Sequence, residues 1–296
     1  MAWTLTHDID AYQSAAGGLL ASQPVRNTVL LSVLASLTRI GPAAYGDESP
    51  LFGWWSEGGV VSAAVLQTPP YPILLTDLPG DSAAELASAL THRGLQPPGL
   101  NGTERDVVAL GRAWQQRTGQ PGHLHQRQRL YRLGGLLPPD PAPDGAARIG
   151  TAADEAVVTS WFSAFAAEAG VRDSPGQVVR SRLASGQLML WEAAGRPASL
   201  AGVTAVIAGV ARVGPVYTPP QLRGRGYGGA VTTAISQLTL DRGAKSVILF
   251  TDLANPASNS LYIKLGYEAV EDRVVLLFGA EPEAAPDPDS SPPDHH

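Results

Sequence analysis

The 296-residue sequence contains no cysteine. Disulfides, thiolate metal sites and a cysteine nucleophile are therefore excluded. There is no apolar run of about 18 residues, the length that a membrane-spanning helix requires. The first ten residues lack a basic start followed by an apolar core, so no secretion signal is expected. Positive charge is also scarce, with 21 Lys and Arg against 27 Asp and Glu. Five of the acids (Glu281, Glu283, Asp287, Asp289 and Asp294) lie in a tail that holds no Lys or Arg, which leaves the rest of the chain near neutral. Nucleic-acid binding usually needs a basic face, so neither a nucleic acid nor a membrane is expected as a partner. These absences fit a cytoplasmic protein.

What is present is an ordinary globular composition, 44% hydrophobic, in a chain long enough for two domains. The clearest break is Leu137-Pro138-Pro139-Asp140-Pro141-Ala142-Pro143. Its prolines forbid a helix and favour an extended linker. The expected organisation is a first domain over 1–136, a linker over 137–146, a second domain over 147–279 and an acidic, Pro-rich, disordered tail over 280–296.

In the second domain the pattern predicts helices over 156–169, 174–184, 228–242 and 256–265. Strands are expected over 188–192, 200–207, 210–217, 247–250 and 274–278. Gly266 is the expected cap of the last helix. The first domain gives the same order less clearly. Helices are expected over 29–37, 82–92 and 104–117, and strands over 52–55, 60–67, 72–76 and 128–133. The fold class is α/β, with helices on both faces of the sheet and the order of elements repeated.

The stretch that carries chemistry is Tyr217-Thr218-Pro219-Pro220-Gln221-Leu222-Arg223-Gly224-Arg225-Gly226-Tyr227-Gly228. A strand ends, a glycine-rich turn follows and a helix starts at once. Amides at a helix start have no internal partners, and the helix dipole places partial positive charge there. Glycine lets that backbone approach an anion without a Cβ in the way. Arg223 and Arg225 add donors, so the turn is an anion cradle. Gly224-x-Gly226-x-x-Gly229 also matches the dinucleotide pattern literally. That pattern needs the strand to end almost at the first glycine and an acid about 20 residues on, after the next strand. Here Pro219-Pro220 intervenes and Asp252 comes too late, so the dinucleotide reading is the weaker one.

Gln221-x-x-Gly224-x-Gly226 resembles the signature of the GNAT acyltransferases. The downstream Asn255-Pro256 to Leu265-Gly266-Tyr267 resembles that family's second motif. The resemblance covers about 148–278. It implies two GNAT-like domains, each with a mixed, mostly antiparallel sheet. It also implies acetyl-CoA or a related acyl-CoA as co-substrate, a small-molecule primary amine as acceptor, and no metal. Val216, Tyr217, Gln221, Leu222, Arg223, Gly224, Arg225, Gly226, Tyr227, Gly228, Asn255 and Asn259 would then hold the CoA. Tyr262 would protonate the leaving thiolate, the alternative being a packed aromatic on its helix. Asn255 could serve as a helix N-cap as well. Glu192 and Asp252, at strand ends, are candidates for the base that takes the amine proton. Both could also be solvated strand ends. Glu168 and Asp173 could attract a cationic amine or be surface charges.

His123-x-His125 would place two imidazoles on one strand face, with no third metal ligand evident. After its third strand the first domain has Asp77 and Asp81, which would repel a pyrophosphate. A degenerate GNAT-like first domain without a CoA site is expected. It could complete the acceptor pocket, build a homodimer or stabilise the fold. Trp54, Trp55 and Trp114 could line its core or a pocket, and the core is expected.

Overall fold

The computed structural model describes residues 1–168 and 176–279. The expected tail, Asp173 and the expected helix start at 174 lie outside them. The first half runs β1 (Ala2–Thr6), α1 (Ile9–Ser22), α2 (Thr28–Ile40), β2 (Leu51–Glu57), β3 (Val60–Gln67), β4 (Ile73–Leu75), α3 (Ser82–His92), β5 (Gly99–Thr103), α4 (Glu104–Thr118) and β6 (Gly122–Leu133). The second half repeats that order as β7 (Ala146–Ile149), α5 (Glu155–Glu168), α6 (Gly176–Ala184), β8 (Leu188–Ala193), β9 (Arg196–Val203), β10 (Val210–Tyr217), α7 (Tyr227–Asp241), β11 (Ser246–Asp252), α8 (Pro256–Lys264) and β12 (Tyr267–Phe278).

The α/β class and a repeat of the order are as expected, with α1 and β5 added in the first half, but the two halves share one sheet. Its twelve strands run β1-β2-β3-β4-β5-β12-β6-β11-β10-β9-β8-β7. The last strands have changed places. β6, from the first half, pairs with β11 of the second, and β12 pairs with β5 of the first. The two also pair with each other along their whole length, antiparallel, from Tyr267↔Leu133 to Phe278↔Gly122. Leu130 and Tyr131 on β6 are fully buried and pack on second-half residues such as Ile248 and Leu249. Each such side chain is worth roughly 1.5–3 kcal/mol on burial, which fixes the exchange. The sheet therefore does not divide where the proline-rich linker lies.

Each half covers both faces of the sheet. α3 and α4 pack on one face of the first half, and α7 and α8 on one face of the second. α1 with α2, and α5 with α6, pack on the opposite face. Val25, just before α2, reaches Leu130, Val210 and Ile248, so these two helix pairs lie on the same side of the sheet.

Several boundaries differ from the sequence pattern. α1 was not expected, because Gly17-Gly18 breaks the signal. It forms on the buried stripe Tyr12, Ala16 and Leu20, spaced four apart, with Asp8 capping it through Asp10 and Ala11 N–H groups. β5 (sequence GLNGT) has poor strand propensity, yet Gly99 is required. A Cβ there would lie 2.2 Å from the Leu276 carbonyl oxygen on β12. β9 stops at Val203, where strand to Ile207 was expected. Ala208 and Gly209, both at positive φ, form the hairpin turn, Ile207 bridges back to Val210, and Thr204 bonds to the Arg212 backbone. Trp55 and Trp114 lie in the core as expected.

Candidate active site

β10 and β11 are parallel neighbours in register only from Val210↔Ser246 to Val213↔Leu249. Beyond that point β10 bulges at Gly214-Pro215, and its register against β9 shifts between Val213 and Val216. The two strands separate there, so the edge of Val216 and Tyr217 that faces β11 lies outside the ladder. Proline at the bulge removes a donor where no partner strand is needed.

At the end of β10 the chain turns through Pro220–Leu222 and enters α7 at Tyr227. Gly224 has φ +75 and Gly226, the N-cap, has φ +81. Other residues rarely adopt this left-handed conformation. The first bond of the helix runs from the Ala230 N–H to the Gly226 carbonyl. The amides just before it have no intrahelical partners. Gln221 and Arg223 to Gly226 are exposed. A Cβ built on Gly224 would meet nothing within 4 Å, so the space above the turn is open. Gly229, one turn on, lets α7 approach Leu261 of α8.

The two arginines of the turn differ. Arg223 donates through Nη2 to both Glu168 carboxylate oxygens (2.7 and 2.8 Å) and through Nε to the Thr218 carbonyl. Its guanidinium stands 5.8 Å from the centre of the Tyr217 ring. Arg223 is thus committed to bracing the turn, and Glu168 to Arg223. Arg225 is exposed and has no such tie among the described residues.

Asn255 caps α8 by accepting from the Ser258 N–H. Asn259 is saturated: its Nδ2 donates to the carbonyls of Asp252 and Asn255, and its Oδ1 accepts from the Tyr131 hydroxyl at 3.0 Å. Both asparagines build the corner between β11 and α8. Tyr131 comes from the exchanged strand β6, which no reading of the second half alone would include. Tyr262 is 8% exposed and packs edge-on against Tyr267, with ring centres 6.0 Å apart. Burial, and then the nearby Tyr267, push its pKa above the usual phenol value, so the hydroxyl keeps its proton.

The two candidate bases are placed apart. Asp252 ends β11, beside the point where the strands separate. Its Oδ1 accepts from Ala254 N–H and its Oδ2 from Gln126 Nε2 at 3.3 Å. Glu192 ends β8, two strands from β10 in the sheet order. Arg148 holds it while gripping Asp154 with two further bonds of 2.8 Å. The Arg148 bond is the largest of the effects that bring the Asp154 carboxyl from 3.8 down to about 2. The structure does not bring Glu192 to the separated strands.

On the face that carries α2, α5 and α6, a cavity of about 310 Å³ opens against Gly214, Pro215 and Phe250. Val29 and Asn101 of the first half complete its wall. Arg182, Arg212 and Arg273 also line it, and sequence reading named none of them. A signal was available for one of them. Arg212 interrupts the apolar strand Val210-Ala211-Arg212-Val213 and shares a face with buried Val210.

At the matching place in the first half, beyond the end of β4, two arginines tie neighbouring segments together. Arg26 bridges Asp77 and Glu271. Arg273 donates to the Leu75 carbonyl at the end of β4 and, weakly, to that of Arg26. Among the described residues no group of three or more His, Asp or Glu could hold a metal ion, and no helix is long and apolar enough to cross a membrane.

The chain is similar over 95% of its length to all of an acetyltransferase of the GNAT family from Colwellia psychrerythraea (TM-score 0.59, 12% identity). It is similar over 93% to 94% of a GCN5-related N-acetyltransferase from Sphaerobacter thermophilus (TM-score 0.59, 15% identity). A Drosophila protein aligns over 98% of its length with 93% of this chain (TM-score 0.64, 14% identity). The chain therefore has the GNAT fold, in two halves. Within the second half, residues 198–276 match the family described as FR47-like protein. No curated protein matches this chain.

Proposed function

We propose that this chain is an N-acyltransferase that moves an acetyl or related acyl group from acyl-CoA to a primary amine in a ternary complex. One observation carries the reading: the β10–β11 ladder stops at Val213, and the freed strand leads directly into an open glycine turn at a helix start. The exposed stretch from Gly224 to Gly226, with Arg225 in it and the unpartnered amides at the start of α7, suits a pyrophosphate. The unladdered edge of Val216 and Tyr217 suits the amide groups of a pantetheine arm.

Acyl-CoA supplies an activated thioester. Direct attack requires the amine in its neutral form, so a proton must leave it. Asp252 is the better placed of the two candidate bases, because Glu192 is held by Arg148 two strands away. Tyr262, kept protonated by burial, supplies a proton to the leaving thiolate. The first half has no CoA site of its own, in keeping with the acids Asp77 and Asp81 after β4 and the absence of an arginine in that turn, and acts by walling the cavity.

Calorimetry with CoA and acetyl-CoA tests the donor site, with one equivalent per chain expected. Thiol release from acetyl-CoA across a panel of amines tests transfer. A CoA-binding module without transfer is the second reading. It is favoured by the burial of Tyr262, the proposed acid, against Tyr267. Binding without thiol release for any amine would select it.

A further inference from the structure

The cavity beside the separated strands is lined by three arginines and no carboxylate. Two of them are engaged. Arg182 donates to the Gly214 carbonyl at 2.7 Å and stands over the Phe162 ring. Arg273 is 6% exposed and bound to Glu271 and to backbone carbonyls. Arg212 differs. Among the described residues its side chain has no hydrogen bond and no ion pair, and its Nη1 is buried without a partner. Burial disfavours its charged form, and among the described residues no acid offsets that, Tyr45 alone opposing it in part. A buried cation without a partner is costly, and native structures keep such groups rarely. Its position gives it a use: Arg212 is on β10, two residues before the bulge where β10 leaves β11.

We propose that Arg212 receives an anionic group of the acceptor, so that the substrate is a small amine carrying a carboxylate. This rests on the acyltransferase reading and names the substrate class of the same site. A guanidinium matches a carboxylate with two parallel bonds. The cavity's other polar walls, Gln128 and Asn101, can accept from an ammonium or donate to the carboxylate. A cationic polyamine is disfavoured by the same walls. The buried cation needs a counter-charge, and the acceptor brings it.

The test is binding, which separates it from transfer. Calorimetry on the full chain with acetyl-CoA bound compares short amino carboxylates with their uncharged amides. One charge-assisted bond to a buried guanidinium is worth about 1.5–3 kcal/mol, or roughly 10- to 150-fold in Kd. The carboxylate should therefore bind at least about tenfold tighter than the amide. Arg212→Gln should abolish that preference and leave acetyl-CoA affinity unchanged, while Arg212→Lys should keep part of it. Equal binding of carboxylate and amide by the unaltered chain would overturn the proposal. So would an Arg212→Gln protein that loses acetyl-CoA instead, since the cation would then serve the donor.

Arg212→Met guards against a purely structural role. With no partner to lose, it should raise the melting temperature of the unliganded protein, whereas a structural arginine would lower it. A preference for carboxylates with no thiol release would uphold this proposal and defeat only the transfer reading.

Discussion

Gly224 has a backbone only glycine adopts readily, yet nothing stands within 4 Å of where its Cβ would be. Gly224→Ala therefore acts on the fold through one term, the positive φ. That term is about 1–2 kcal/mol. Roughly 2–4 °C of melting temperature follows per kcal/mol for a protein of this size. On a bound pyrophosphate the same methyl acts differently, because it fills the open space above the amides. Losing one or two charge-assisted bonds there removes about 1.5–3 kcal/mol or more, so the Kd for CoA should rise at least about tenfold.

Gly119 provides a matched control. It ends α4 with φ +73, and a Cβ on it likewise meets nothing within 4 Å, but it lies in the first half. Gly119→Ala should show the same fall in melting temperature with unchanged CoA affinity. Calorimetry with CoA on the two variants separates strain from occlusion. If Gly224→Ala bound CoA within twofold of the unaltered chain, no phosphate would sit at that turn. The assignment of the donor site would then fall.

Other consequences are open to measurement. Tyr262→Phe should lower kcat with little change in acyl-CoA affinity; unchanged turnover removes the acid role. Burial raises the phenols of Tyr262 and Tyr12, and that of Tyr267 to about 12. The unfolded chain gives up these protons near pH 10 while the folded one retains them, so stability should fall as pH rises through that value. A flat melting temperature there would contradict the burial. At the acid end, Asp154 titrates near 2 in place of 3.8. Its contribution is present above pH 3.8 and should be lost as pH falls towards 2. Asp154→Asn should flatten the melting curve in that window, and an unaltered acid limb would show that other carboxylates set it. Because β6 and β12 are exchanged, calorimetric unfolding should give one heat-absorption peak. Two well-separated peaks would mean that the halves unfold independently.

The turn proposed to hold the donor was legible in the sequence because it is local. Gln221 to Gly228 form one continuous turn, and the requirement for positive φ is written in its glycines. The order α-α-β-β-β-α-β-α-β of the second half was readable for the same reason, from periodicity within each element, while in the first half α1 and β5 were missed. What escaped was decided by partners far along the chain. β5 is a strand because Gly99 admits β12, more than 170 residues later. Tyr131 belongs to the corner of Asn259 because β6 crossed into the other half. The arginine-lined cavity needs walls from α2, β5, α6 and β10, which no window of the sequence contains.

The linker joins these two kinds of information. Its prolines predict an extended segment, and the sheet order explains why one is needed. The chain leaves β6 at Leu133 and must start β7 at Ala146, five strand positions away across β11, β10, β9 and β8. Five spacings amount to about 24 Å. Residues 134–145 span at most roughly 40 Å when extended, and they must also pass over the helices on that face. A helical linker, at about 1.5 Å per residue, would fall short. The extended path brings Pro139 against Gly229 and Pro143 to 3.6 Å from the Cβ position of Gly226, and lets Asp144 accept from the Trp191 indole. The strand exchange thus forces the connection between the halves across the first turns of α7, beside the proposed donor site. Shortening it by several residues should pull β7 from the sheet edge and reduce CoA affinity together. A loss of one without the other would show that the linker's path and the turn are independent.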